Sequence, residues 1–329
     1  MKLQENPADV KQFKESFFQA IRKVVVLADE WVLEMMLTAL ICGGHILLHD
    51  VPGVGKTLLA RTFSRALGLS FNRIQFTPDL LPTDVTGLNY FNQKTREFEF
   101  RPGPVFTNIL LADEINRATP RTQSSLLECM QEATVTVDGV TRKIEPPFLV
   151  LATENPLEME GTFPLPEAQL DRFFMCLQLG YPELENEKEI IRRFLNEDPL
   201  EEVEPVAGGE DIAVLRKMAA KVRFAEPVME YLLAISRATR DWEGVSLGVS
   251  PRGSLYFARA AQALALLRGR DFVLPDDLQD VAVPVLAHRL MLETSTSLQD
   301  ISRREIIEKI IKNIDVPLDA EYGMKDDEA

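Results

Sequence analysis

Cysteine is scarce: Cys42, Cys129 and Cys176 are the whole complement among 329 residues. They are too scattered for zinc-ligand spacing and suggest no disulfide framework, so a reducing compartment is the natural setting. Histidine is equally rare. His45, His49 and His288 form no base–nucleophile–acid set and read as structural. No apolar run approaches the ~20 residues that cross a bilayer, and the opening residues carry no signal-peptide h-region. A cytoplasmic protein without a membrane span is the expectation. Positive charge is also short, with 36 Lys and Arg against 51 Asp and Glu, a net of −15. That balance argues against non-specific binding to DNA or RNA, so no nucleic-acid partner is expected.

What is present reads as an ordinary globular chain, 46% hydrophobic and 26% charged, of a length that suggests about two domains. Residues 8–45 carry apolar positions at helical spacing. Short apolar runs bounded by turns then recur: HILLH, FNRIQF, TNILLADEI, PFLVLATENP and DRFFMCLQL. Continuous apolarity suits strands buried on both faces. Helical patterns separate them, one in LLARTFSRAL and one that Thr119-Pro120 opens as N-cap and first position. Residues 83–107 read as an insertion with a hairpin-like element. TVTVDGVTRKI alternates around Asp138-Gly139, a strong hairpin signal within about 133–146. After Tyr181 the strand signals fade; residues 196–211 look like an exposed acidic linker, and helical spacing follows. The expected class is α/β, a parallel sheet flanked by helices over residues 1–195, with a smaller all-helical domain over 212–318. Residues 319–329 read as a frayed tail.

The chemistry concentrates at a few strand ends. LLHDVPGVGKTLLA nearly spells the phosphate loop G-x-x-x-x-G-K-[ST], with Asp50 in place of its first glycine. Such a loop between a strand and a helix aims backbone N–H groups at phosphates. Val51, Pro52, Gly53, Val54, Gly55, Lys56, Thr57 and Leu58 would form the cradle, Lys56 reaching the β- and γ-phosphates and the Thr57 hydroxyl holding Mg²⁺. Taken alone, the stretch could be a plain turn. The strand ending at Asp113-Glu114 adds an acid that can hold the metal and another that can polarise water, although charged strand ends are often merely solvated. Asn155, at the end of the fourth strand, could orient the water or simply form a turn before Pro156. Arg172 in EAQLDRFF and Arg252 in SPRG could stabilise a transferring phosphoryl group across an interface, or make surface ion pairs.

In this order, the loop, DEINRATPRTQSSLLECMQE, VTVDG, ATENPLEMEGTFPLPEAQLDRF and SPRG resemble the AAA+ ATPases, and among them the MoxR family, over roughly Lys23 to Leu290. The resemblance implies an AAA+ P-loop core with a helical lid, ATP and Mg²⁺ as cofactors, and assembly into a ring, usually a hexamer. It casts Asp113 as the metal acid, Glu114 as the hydrolytic base and Asn155 as the first sensor. Arg172 becomes the finger that completes a neighbour's site, and Arg252 the second sensor. The 83–107 insertion matches the insert in the second helix and the Asp138-Gly139 hairpin the pre-sensor insert, both of which tend to meet clients. Two places depart from the family pattern: Asp50, and Val26-Leu27-Ala28 where a Gly-Gln pair is common.

The implied function is an ATP-hydrolysing chaperone that remodels or matures partner proteins, often ones with a von Willebrand factor A domain. A nucleotide-gated assembly switch with little turnover and the ATPase subunit of a metal chelatase are the alternatives; a DNA motor is disfavoured by the charge. Asp tolerates left-handed and turn conformations, so Asp50 can serve the bend with its carboxylate turned from the phosphates. Asp50→Gly is therefore expected to leave ATP affinity largely intact by equilibrium titration; a large gain would show that Asp50 repels the nucleotide.

Overall fold

Helix α1 (Pro7–Arg22) and helix α2 (Glu30–Cys42) open the fold. The computed structural model describes residues 6–25, 29–49, 53–154, 161–181, 184–195, 199–293 and 302–317. Asp29 starts α2 by accepting the Trp31 N–H at 3.3 Å, and Gly43 ends it in the left-handed conformation at φ 67°, the usual place for a residue without Cβ. The sequence of α2, EWVLEMMLTALIC, is apolar on nearly every side, and every residue from Val32 to Ile41 is buried. Such a helix needs neighbours all round. They come largely from the C-terminal half of the chain.

The α/β part follows: β1 (Ile46–His49), α3 (Lys56–Ala66), β2 (Phe71–Gln75), α4 (Pro82–Thr86), β3 (Gly87–Asn92), β4 (Glu97–Pro102), β5 (Ile109–Asp113), α5 (Pro120–Glu132), β6 (Thr134–Val137), β7 (Val140–Lys143), β8 (Leu149–Glu154), α6 (Glu167–Leu170), β9 (Met175–Leu177) and α7 (Leu184–Phe194). Five strands form one parallel sheet in the order β2-β5-β8-β1-β9. Alternate side chains of each apolar run enter different cores. Ile46, Leu48, Ile109, Leu111, Leu149 and Leu151 face α1, α2 and α3. Leu47, Leu110, Ala112, Val150 and Ala152 face α5 and its neighbours. This two-sided burial is why the strands lack polar alternation. On the first face, Phe17 of α1 meets Phe63 of α3 edge-on at 5.3 Å between ring centres, a contact worth about 0.5–1.5 kcal/mol beyond its buried area.

Two hairpins project from this core. β3 pairs with β4, and β6 with β7 around Asp138 and Gly139, both at positive φ. Asn89 donates to Asp138 Oδ2 at 2.7 Å, and the Arg142 guanidinium lies 3.8 Å from the centre of the Phe100 ring. The hairpins therefore form one unit, on which Tyr90, Phe91 and Phe98 are exposed.

The C-terminal half comprises α8 (Gly209–Ala219), α9 (Glu226–Ala238), β10 (Val245–Leu247), α10 (Pro251–Leu267), α11 (Pro275–Leu286), β11 (Met291–Leu292) and α12 (Arg303–Asn313). Among the described residues it is helical except for the short antiparallel β10–β11 ladder and an isolated bridge between Arg223 and Phe272, all too short to show in the sequence pattern. α8 and α10 pack on α2, and α11 packs on the edge strand β9, so one apolar core runs through both halves. Charge reinforces the junction. Glu34 of α2 takes Lys14 at 2.8 Å and Arg268 at 3.2 Å, while Arg268 and Arg270 hold the fully buried Asp277.

A further sequence expectation changes here. The acidic 196–211 segment is not simply exposed: Leu200 and Val203 are buried, Val206 N–H donates to Ala66 O, and Arg65 bonds the carbonyls of Val203 and Glu201. Its spaced apolar residues are the physical reason. Thr119 and Pro120 do occupy the N-cap and first position of α5, with the Thr119 hydroxyl 3.3 Å from that of Thr122 and no side-chain bond to the backbone.

Candidate functional site

The loop after β1 turns on two glycines. Gly53 and Gly55 have φ of 88° and 78°, a region that side chains with Cβ avoid. Gly55 caps α3, whose first internal bond runs from Leu59 N–H to Gly55 O at 2.9 Å. The amides before Leu59 have no acceptor within the helix, and they form the positive end of its dipole. Gly53, Gly55, Lys56, Thr57 and Leu58 line a cleft of about 400 Å³ together with Arg73, Gln75, Asp113, Glu114 and Thr153. Val54 is buried under the loop. These groups come from the C-terminal halves of the parallel strands β2, β5 and β8 and from the loop and first turn of α3 that follow β1. Asp50, Val51 and Pro52 lie outside the described residues, as do Val26-Leu27-Ala28, Asn155 and the 319–329 tail.

Asp113 and Glu114 take different surroundings. Asp113 ends β5 almost buried, with Arg73 Nε 2.6 Å from Oδ2 and the Thr153 hydroxyl 3.3 Å from Oδ1. Glu114 adopts a left-handed conformation, φ 56° and ψ 51°, which costs a non-glycine residue on the order of 1–2 kcal/mol. Such strain is retained where surroundings enforce it, commonly at functional sites. Here the Thr153 hydroxyl accepts the Glu114 N–H at 2.8 Å. The Gln75 amide and Arg117 donate to Glu114 Oε2 at 2.7 and 2.9 Å. Both bonds fall on one oxygen, and Oε1 is left to the cleft.

Magnesium fits this donor set. Among the described residues no cluster of three or more His, Cys, Asp or Glu could hold a metal by protein ligands alone. A cation that keeps waters and binds one carboxylate plus substrate phosphates needs none. Thr57 and Asp113 both line the cleft and supply a hydroxyl and a carboxylate as hard oxygens, the carboxylate already paired with the Arg73 guanidinium.

Arg172 and Arg252 are elsewhere. Arg172 lies in the turn between α6 and β9, and Arg252 is the second residue of α10, behind the Ser250 cap. They line a second cleft of about 360 Å³, with Cys42, Gly44, His45, Tyr256 and Arg259 among its other walls. Gly44 and His45 precede β1, so this cleft opens at the N-terminal strand ends, across the sheet from the phosphate loop. His45 is held neutral there: burial pulls its pKa down to about 4, and its ring bonds Met130 O and the Val150 N–H.

Arg73, Gln75 and Thr153 were not singled out from the sequence. A signal existed for the first two: FNRIQF places Arg73 and Gln75 two apart, on one face of a strand. Knowing that β2 lies beside β5 is what turns that face towards the acids. Thr153 becomes visible only with the β8 register.

With this geometry in hand, comparison with known proteins is specific. Residues 45–175 match the model of the ATPase family associated with various cellular activities (AAA), and residues 237–310 match the AAA lid domain. The sheet, the cleft and these matches define an AAA+ enzyme, a hydrolase of ATP. A Mycobacterium tuberculosis protein named Chaperone MoxR1 is 42% identical over 94% of this chain and 84% of its own length. The uncharacterized protein YeaC of Bacillus subtilis is 50% identical, covering 89% of this chain and 92% of its own. A crystal structure from Cytophaga hutchinsonii superposes with a TM-score of 0.89 at 39% identity, covering 95% of this chain and 97% of that one. The chain belongs to the MoxR family of AAA+ ATPases.

Thr153 offers a direct test of the acid pair. Thr153→Val keeps the shape and deletes both hydroxyl bonds, leaving the Glu114 N–H without its acceptor. Steady-state turnover is expected to fall about tenfold, with ATP affinity nearly unchanged, as one unsatisfied donor near the reacting centre would dictate. Unchanged turnover would show that Glu114 keeps its turn without Thr153.

Proposed function

We propose that this chain is a MoxR-type chaperone that assembles into a ring, most simply a hexamer, and hydrolyses ATP in clefts shared by adjacent subunits. The observation that carries this is the separation of parts. The phosphate loop and both acids line one cleft, whereas Arg172 and Arg252 line another at the opposite strand ends. Within one subunit the arginines are poorly placed to serve their own loop. A neighbour whose arginine cleft faces the loop would complete the site, and this supports assigning both Arg172 and Arg252 to act in trans.

In this scheme the α3 amides and Lys56 bind the phosphates. Thr57 and Asp113 would hold Mg²⁺, which would neutralise phosphate charge when bound. Glu114 Oε1 takes the proton from the attacking water, while the bonds to Oε2 keep the carboxylate aimed. Asn155 orients that water as the first sensor. Arg172 stabilises charge on the phosphoryl group of the neighbour's ATP, and Arg252 senses it as the second sensor.

The exposed Tyr90, Phe91 and Phe98 on the joined hairpins would contact a partner protein. A relative's name, Chaperone MoxR1, supports client remodelling, and the family resemblance favours a client with a von Willebrand factor A domain. No described helix is long and apolar enough to cross a membrane, and we place the ring in the cytoplasm.

Glu114→Gln should bind ATP with near wild-type affinity and lose at least about 100-fold in turnover, the ordinary worth of a general base. Arg172→Ala should also bind ATP, yet fall by about 10³-fold in turnover, the lower end for an arginine finger. Nucleotide titration and a phosphate-release assay read both. Wild-type turnover by Glu114→Gln would remove it as the base.

A further inference from the structure

The C-terminal half reaches into the core at one buried guanidinium. Arg289 lies in the turn Ala287–Arg289 after α11, and its side chain is 2% exposed. A charge at that depth persists only with close compensation. Its compensation comes from two directions. Towards the loop between α6 and β9, Nε lies 2.9 Å from Asp171 Oδ1, an ion contact whose N–H is not aligned for a hydrogen bond. Nη2 donates to Phe173 O at 2.5 Å, and Nη1 lies 3.4 Å from Phe174 O. Towards α10, the guanidinium sits 5.3 Å from the centre of the Tyr256 ring. Gly253 leaves it room: a Cβ there would come within 3.0 Å of Arg289 Cδ. Nη1 also donates to Val285 O and lies 2.7 Å from His288 Nε2, which ties the group to its own turn. Burial pulls the Arg289 pKa down to about 10, opposed by Asp171, so it remains a cation at neutral pH.

The positions of these contacts in the chain are informative. Asp171 and Phe173 flank Arg172, and Gly253 follows Arg252. One side chain thus grips the backbone or neighbours of both arginines in the second cleft, although they are 80 positions apart in the sequence numbering of Arg172 and Arg252. We infer that Arg289 is a positioning residue for ATP hydrolysis: it sets Arg172 and Arg252 in register and makes them move as a unit with the lid. The inference rests on the proposed trans action of Arg172. It adds that the finger is aimed by the lid of its own subunit, so that displacing the lid displaces the finger presented to the neighbour. Arg303 of α12, 3.1 Å from Glu167, is a second lid contact, on the helix α6 that leads into this loop.

Asp171→Asn in the full-length protein tests this, since it removes the charge that faces Arg289 while keeping the side-chain shape and the carbonyl bonds. Turnover is expected to fall about 10- to 100-fold with KM for ATP little changed, as misplacing a catalytic group by about 1 Å would cause. The decisive readout is the combination with Arg172→Ala. The double variant should turn over ATP no more slowly than Arg172→Ala alone, because Asp171 anchors the Arg172 loop to Arg289 while the contacts of Arg289 with Tyr256 and Gly253, beside Arg252, are left in place. Losses that multiply would mean general structural damage and would overturn the inference. So would wild-type turnover of Asp171→Asn beside an impaired Arg172→Ala. Wild-type turnover of Arg172→Ala would overturn the finger role and this inference together. Gly253→Ala, which crowds Val249 Cγ1 and Arg289 Cδ without altering either charge, supplies the same cycle against Arg252→Ala if Asp171→Asn fails to fold.

Discussion

The central constraint is the parallel ladder that holds β1 between β8 and β9 and β5 against β8. In that register Leu48 pairs with Thr153, and Ala112 with Ala152. Asp113, Thr153 and the loop after β1 must then emerge at one edge of the sheet. A slip of one residue would turn each side chain to the other face, separating Thr153 from the acids it bonds. Burial on both faces opposes such a slip, since it would move large apolar side chains between two filled cores. Packing on either side of the sheet is therefore what keeps the acids, Thr153 and the loop together.

The same parallelism gives the sheet two chemically distinct ends. Loop amides, Lys56, Asp113 and Glu114 gather at the C-terminal strand ends, while Arg172 lies before β9 at the other. Because α2 is apolar all round, it draws the helices of the C-terminal half over itself, and these bring Arg252 and Arg289 to the end where Arg172 already sits. In the proposed reading, each subunit would display half of a phosphoryl-transfer site on each of two surfaces. The proposed ring would join them, since a head-to-tail contact of unlike surfaces generates a ring when its rotation closes.

Much of this was legible in the residues and some was not. The five strands showed as short apolar runs because they are buried on both faces, and Asp138-Gly139 marked a hairpin because few other pairs accept two consecutive positive φ values. The phosphate loop and acid pair were readable because each is local in sequence. Arg73 and Gln75 were missed because their meaning depends on β5, which lies beyond an intervening hairpin. Thr153 was passed over for its neighbour Asn155. The 196–211 segment looked exposed on composition, yet its few apolar residues are spaced to lie against α3. Nothing local indicated that Arg172 and Arg252 share a cleft; that depends on how the lid packs on α2 and β9.

The claim that each site is built from two subunits is tested most directly by mixing. Lys56→Ala subunits cannot bind nucleotide productively but carry an intact Arg172; Arg172→Ala subunits bind ATP but lack the finger. Each alone should be inactive. Mixed rings, verified by co-purification of differently tagged subunits, should regain ATPase activity because some interfaces combine a working loop with a working finger. Verified mixed rings that stay as inactive as either parent would contradict the account.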